Sequence, residues 1–323
     1  MSANRLESRM QTLLEEDARG VAPYLTAGDG GLETTLAVLE ALDAGGASCI
    51  ELGIPFSDPI ADGPVLQAAS QRALDAGTTL SAALEMLAEF RSRGCTVPVA
   101  IMSYANPLHA RGWAGAARAV ADAGGDALIV PDLPVEEGSA MAAAAGEAGL
   151  CPIFFASPTS GDERISRAAS ESRGFLYVVG RTGITGARTS FDEGVQSFLK
   201  RAESLSSIPL GVGFGIATCD DVREAVRHAR LAIVGTALVQ RLHEAGPDGA
   251  NEAASLFLAE LMMGVAASNL PLAINWPIST GPSWPCFRNG PGSFPARTRT
   301  TPTAWRASTT SSNALKGPST PGC

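Results

Sequence analysis

A rhythm constrains the fold more than any single motif. Eight short, almost uninterrupted apolar stretches, at 21–25, 48–52, 97–102, 127–130, 152–156, 175–179, 209–212 and 231–234, alternate with stretches of helical period such as Leu80, Ala83, Leu84, Leu87 and Phe90. Strands apolar on both faces belong to a parallel sheet that helices cover. Eight such units in about 265 residues predict a closed (β/α)8 barrel. The competitor is a doubly wound open sheet, which usually carries a G-x-G-x-x-G turn after its first strand. Neither Gly28-Asp-Gly30-Gly31 nor Gly211-Val-Gly213-Phe-Gly215 has that spacing. Leu6, Met10, Leu13 and Leu14 fall on one helical face and predict an extra amphipathic helix within residues 1–19, and the pattern of 252–263 predicts the eighth barrel helix.

Beyond residue 268 the character changes. Nine of the 21 prolines and three of the four tryptophans fall in 269–323, among many Ser and Thr and with no periodicity. Such a segment buries too little surface to offset its ordering entropy, so 1–268 is expected to be the barrel domain and 269–323 a disordered Pro/Ser/Thr-rich tail. The tail has no Asp or Glu but contains Arg288, Arg297, Arg299, Arg306 and Lys316, so residues 1–268 carry a net charge of about −14. An acidic body argues against nucleic acid as partner, and any anionic ligand must be held by local backbone donors. The six cysteines stand singly and the three histidines lack ligand spacing, which predicts no metal and a reducing cytoplasm. No stretch reads as a membrane span or a signal sequence.

One carboxylate breaks the second apolar stretch. Glu51 stands between Ile50 and Leu52, where its burial costs several kcal/mol unless something compensates. It reads either as a core or strand-end carboxylate of no special role, or as a group delivered to a site. Asp62, in a Pro- and Gly-rich loop, would approach that site from the side. The second reading accords better with where ionisable groups serve barrel enzymes. Asp58 reads as an ordinary Asp-Pro turn opener. Glycine-bearing stretches follow the sixth, seventh and eighth strands: R-T-G-I-T-G-A-R-T at 181–189, G-F-G-I-A at 213–217 and G-T-A-L at 235–238. Each alone fits a tight turn. Three converging on the C-terminal face of a barrel predict a phosphate site of backbone N–H groups. The long 181–189 stretch has the character of a lid, or of a plain surface connection.

These residues resemble the tryptophan synthase alpha subunit family. The run E-L-G-I-P-F-S-D-P-I-A-D-G at 51–63 is similar to its signature. Around it, in the family's order, stand P-Y-L-T-A-G-D (23–29), Y-A-N-P (104–107), P-D-L-P-V-E-E (131–137), R-T-G-I-T-G (181–186) and G-F-G-I (213–216), a likeness covering about residues 1–265. The resemblance implies retro-aldol cleavage of indole-3-glycerol phosphate to indole and glyceraldehyde 3-phosphate. It implies no cofactor in this chain, because pyridoxal phosphate belongs to a partner beta subunit that takes the indole within an alpha2beta2 tetramer. Glu51 would protonate indole C3 and Asp62 would hold the ring N–H. Tyr24, Tyr104, Tyr177, Phe214 and one of Ile153 and Phe154 would line the indole pocket, with Tyr177 placed to orient Glu51. Gly186, Gly215, Gly235 and Thr236 would hold the phosphate. Asp58 and Pro59, 106–108 and 132–136 would face the partner.

The chain departs from the family pattern in four places. Gly30 stands where the family has Pro, Gly180 where it has Ser, 227–232 is about one residue short, and the family ends near residue 265. A silent subunit that only activates its partner, and a phosphate-binding barrel acting on a related substrate, are the alternatives. The lack of a lysine at any strand end weakens Schiff-base versions of the latter. Only two of the 24 basic residues are lysine, as GC-rich coding would give, and the tail loses both acidic residues and helical period. Out-of-frame translation after about codon 268 would account for this. Reading the gene one base out of frame should then restore a stop near that codon, and a frame that stays open would refute the idea.

Overall fold

The computed structural model describes residues 4–180, 193–213 and 215–268. All strands are parallel: β1 (Gly20–Thr26), β2 (Ile50–Gly53), β3 (Val99–Met102), β4 (Ala127–Ile129), β5 (Cys151–Ile153), β6 (Phe155–Ala156), β7 (Leu176–Val179), β8 (Leu210–Gly213) and β9 (Leu231–Val234). They lie in the order β5-β4-β3-β2-β1-β9-β8-β7-β6. The two ends of that order, β5 and β6, are separated in sequence by Phe154 alone, so they are halves of one bent strand and the sheet closes on itself. The result is the predicted eight-stranded barrel, with its fifth strand broken. At the break the Phe154 N–H leaves the ladder and donates to the Ser172 hydroxyl (2.9 Å), while its carbonyl accepts from the Tyr177 N–H (3.1 Å). Pro152, which has no N–H to give the ladder, lies just before the bend.

Two apolar layers follow from strands buried on both faces. The larger lies between sheet and helices and contains Val21, Leu25, Ile50, Leu52, Val99, Ile101, Leu128 and Val212. The smaller fills the barrel with Ala22, Tyr24, Cys49, Met102, Ile129, Ile153, Phe175 and Ile233, joined by Leu6, Met10 and Leu13 of the first helix. That helix, Arg5–Glu15, thus plugs the N-terminal end of the barrel. Its N-cap is Asn4, whose side chain accepts from the N–H groups of Leu6 and Glu7. Leu14, expected on the buried face, is 41% exposed. At 100° per residue it sits at the edge of the stripe that the other three share.

Beneath the plug, Asp126 binds Arg5 at 2.9 Å and Arg91 at 2.9 Å, and accepts the Val99 N–H at 2.8 Å. The stretch before β9, short by the family pattern, still brings the strand into register with both neighbours: Arg230 N–H donates to Leu210 O and Gly20 N–H to Arg230 O. The closing element, Thr236–Ser268, is two helices joined across Gly246, whose φ of 69° and following Pro247 interrupt the first. The expected helix at 252–263 lies in its second part. No helix among the described residues is long and apolar enough to cross a membrane. The 181–189 loop and 269–323 lie outside the described residues.

Asp126→Ala would take the carboxylate from two guanidinium groups, which keep only backbone carbonyls, and the acceptor from the Val99 N–H. The expected loss is about 3 kcal/mol of unfolding free energy, read as a lowered urea midpoint at neutral pH. An unchanged midpoint would show that the brace carries no stability.

Candidate active site

Glu51 lies within β2 with its side chain on the barrel's inner side, in register with Tyr24 of β1 and Ala100 of β3. It is 5% exposed. That burial excludes an exposed strand-end carboxylate. Backbone donors do not satisfy it either, for its partner among the described residues is the Tyr177 hydroxyl, which donates to Oε2 at 3.3 Å. Loss of water pushes the Glu51 pKa up to about 8; the Tyr177 hydrogen bond opposes this and the nearby charge of Asp62 adds to it. Glu51 is therefore a carboxylic acid at neutral pH.

Asp62 reaches the same space from the loop after β2 and is 4% exposed. Its N–H is tied to Pro59 O at 3.0 Å and its carbonyl accepts from Gln67 Nε2 at 2.8 Å, so the loop turns back on itself at this residue. Burial raises the Asp62 pKa to about 6, and an interaction with the Tyr104 hydroxyl pulls it down. Asp62 also immediately precedes Gly63, the N-cap of helix Pro64–Asp75, a position that favours negative charge. At pH 7 the site thus holds one carboxylic acid and one carboxylate. Two carboxyls with acidities pushed apart by their surroundings are the arrangement that acid–base chemistry uses.

Three tyrosines surround the pair. Tyr24 and Tyr104 belong to the barrel's inner cluster, and Tyr177 packs against it. Space for two of them is made by glycines on neighbouring strands. A Cβ at Gly53 would stand 2.2 Å from the Tyr24 hydroxyl, and one at Gly213 would stand 3.0 Å from the Tyr177 ring. Of the paired pocket candidates, Ile153 faces the interior. Phe154 does not: it packs in the outer layer, where a Cβ at Gly138 would strike its ring at 2.3 Å. The aromatic group that enters is Phe155, whose ring lies 4.6 Å from that of Tyr177. Strand alternation around Ile153 was the signal that could have found it. Thr26, whose hydroxyl pairs with that of Tyr24 at 3.3 Å, and Phe56, stacked on Tyr104, were also missed.

The residues expected to hold a phosphate are partly described. Gly235 follows β9 beside Tyr24 and its carbonyl accepts the Val239 N–H at 3.0 Å, so it caps the helix that Thr236 begins. The first N–H groups of that helix have no intrahelical partner and favour an anion. Gly215 follows β8 with φ of 67°, a left-handed conformation that suits glycine. Gly186 and Phe214 lie outside the described residues. A separate cavity on the helix side of β1 is lined by Leu25, Asp29, Arg72, His243 and Pro247, but Asp29 and Arg72 satisfy each other there at 2.7 and 2.8 Å. Among the described residues no group of three or more His, Cys, Asp or Glu side chains is arranged to hold a metal ion.

Comparison with known proteins agrees with this geometry. The sequence matches the family described as tryptophan synthase alpha chain over residues 10–267. The tryptophan synthase alpha chain of Prochlorococcus marinus is 44% identical over 258 residues, covering 79% of this chain and 93% of the relative. That of a Roseiflexus species is 47% identical over 225 residues, covering 70% and 86%. Among solved structures, tryptophan synthase subunit alpha from Legionella pneumophila superposes with a TM-score of 0.76 at 32% identity, covering 82% of this chain and all of that one. The tryptophan synthase complex from Pyrococcus furiosus gives 0.70 at 34% identity, covering 76% and 98%. With its barrel, its buried carboxyl pair and this similarity over most of its length, the chain belongs to the tryptophan synthase alpha chain family.

Proposed function

We propose that this chain cleaves indole-3-glycerol phosphate to indole and glyceraldehyde 3-phosphate as the alpha subunit of tryptophan synthase, with Glu51 as proton donor and Asp62 as the group that holds the indole N–H. The observation that carries the assignment is that two buried carboxyls share one space; burial lifts Glu51 to about 8 but Asp62 only to about 6, which suits the first to be the acid and the second the carboxylate. Glu51 gives its proton to indole C3, and positive charge develops at the ring nitrogen. The Asp62 carboxylate stabilises that charge in a site with little water to screen it. The hydroxyl on the adjacent side-chain carbon then loses its proton to the Glu51 carboxylate. Its O–H electrons form the aldehyde, the carbon–carbon bond breaks, and that bond's electron pair restores the neutral indole. Glu51 ends the cycle protonated, so acid and base are one residue.

Tyr177 orients Glu51 through its hydrogen bond, and Tyr24, Tyr104 and Phe214 line the ring's pocket. The substrate's phosphate rests on backbone N–H groups at Gly186, Gly215, Gly235 and Thr236. Proton transfer and charge stabilisation suffice for this reaction, so the chain needs no cofactor of its own; pyridoxal phosphate would serve the beta subunit. That subunit is the partner, in an alpha2beta2 assembly. The Pyrococcus furiosus relative, described as a complex, supports a partner. Asp58 and Pro59, 106–108 and 132–136 would meet it. The site of action is the cytoplasm. Residues 1–268 form the catalytic domain, and the 269–323 tail takes no part in the reaction.

Indole release from indole-3-glycerol phosphate, with a beta subunit added and withheld, tests the reaction. Glu51→Gln should lower it at least about 100-fold and Asp62→Asn by a similar factor. The wild-type rate should fall below a pH of about 6 as Asp62 takes up a proton and above about 8 as Glu51 loses one. An unimpaired Glu51→Gln would remove Glu51 from the mechanism.

Stability gives a second check with a definite sign. Between its ordinary value of 4.5 and about 8, Glu51 holds a proton in the fold that the unfolded chain has released. Stability contributed by this group therefore falls as pH rises through that window. Glu51→Gln removes the slope, so its melting temperature relative to wild type should climb from pH 5 to pH 8. A constant difference would mean that Glu51 titrates normally.

A further inference from the structure

The loop that carries Asp62 is pinned to Tyr104, at the end of β3, in two ways. The Phe56 ring stacks on the Tyr104 ring with centroids 5.3 Å apart, and the Ala61 N–H donates to the Tyr104 hydroxyl oxygen at 3.1 Å. Tyr104 is itself held firmly. It is 1% exposed, and the N–H of the next residue, Ala105, donates to the Asp132 carboxylate at 2.9 Å. With Ala61 occupying the hydroxyl oxygen, the phenolic hydrogen is left to turn toward the adjoining carboxylate.

We propose that Tyr104 is a positioning residue for the reaction: its hydroxyl donates to Asp62, fixing that carboxylate toward the indole nitrogen and keeping it charged inside the barrel. The proposal rests on the roles given above to Asp62 and Glu51. A hydrogen bond donated to a carboxylate favours its ionised form, opposing the burial that favours the neutral one. Among the described residues, the other groups facing Asp62 supply no positive charge. They are Glu51 from β2, Tyr24 from β1 and Tyr177 from β7, while Asp132 faces Tyr104 from the loop after β4. Among the described residues no cation is paired with Asp62. Among these residues it is a neutral donor, Tyr104, that opposes the effect of burial on Asp62.

The test is the pH profile of indole release by full-length wild type and Tyr104→Phe, beside a carboxyl carbon-13 NMR titration of Asp62 assigned with Asp62→Asn. The acidic limb and the Asp62 titration should both move up by about one to two pH units. Activity lost at pH 6.5 should then recover relative to wild type by pH 8. A loss equal at every pH, with the Asp62 titration unmoved, would make Tyr104 a packing residue and overturn the proposal. Should Tyr104→Phe not fold, 3-fluorotyrosine at position 104 keeps the shape and strengthens the donor, so the limb should move down; an unmoved limb overturns the proposal equally. If the wild type releases no indole, the assigned reaction fails, and the NMR titration alone still decides what Tyr104 does to Asp62.

Discussion

The barrel mouth is organised by one unfavourable act, the removal of the Glu51 carboxyl from water. Left alone in an apolar interior, an ionised carboxylate is unstable, so the group keeps its proton to a pH of about 8. That single displacement makes it an acid at neutral pH. It also means that a second, charged carboxyl can stand nearby without two like charges meeting. Asp62 fills that role from a loop that leads into a helix N-terminus, with a milder rise to about 6. The two residues are chemically the same group, and environment alone divides their work.

Holding that environment requires bulk inside the barrel, and bulk requires clearance. Tyr24 and Tyr177 exclude water from the carboxyls, yet their rings reach across adjacent strands. Gly53 and Gly213 give way where any side chain would collide. The broken fifth strand contributes likewise, for the bend at Phe154 brings Phe155 against Tyr177. The plug of Leu6, Met10 and Leu13 closes the opposite end, so the interior is dry from below and addressed only from above.

Much of this was legible in the chain. Eight apolar stretches became the eight barrel strands, because strands buried on both faces leave an unmistakable run of apolar residues. Glu51 was conspicuous since it broke such a run. The break at Phe154 was not, because it depends on Ser172, a residue distant in sequence, capturing one N–H. Simple alternation along 152–156 already separates Phe154, outward, from Phe155, inward, so that pair was legible even with the bend unseen. Leu14 was misjudged because periodicity gives a face but not its width. Gly53 and Gly213 gave no sign of a clearance role, since what they make room for comes from other strands.

The pairing of β1 with β9 joins Gly20 to Leu231 and Pro23 to Val234, the two ends of the barrel sequence. Every other strand pairs with a neighbour in the chain. During synthesis, therefore, Glu51 and Asp62 emerge long before Tyr177 and β9, and until then both carboxyls lie beside an open edge. The acidity that defines the site is acquired in one step, when the last strand docks against the first, so an incomplete chain carries both carboxyls without the chemistry.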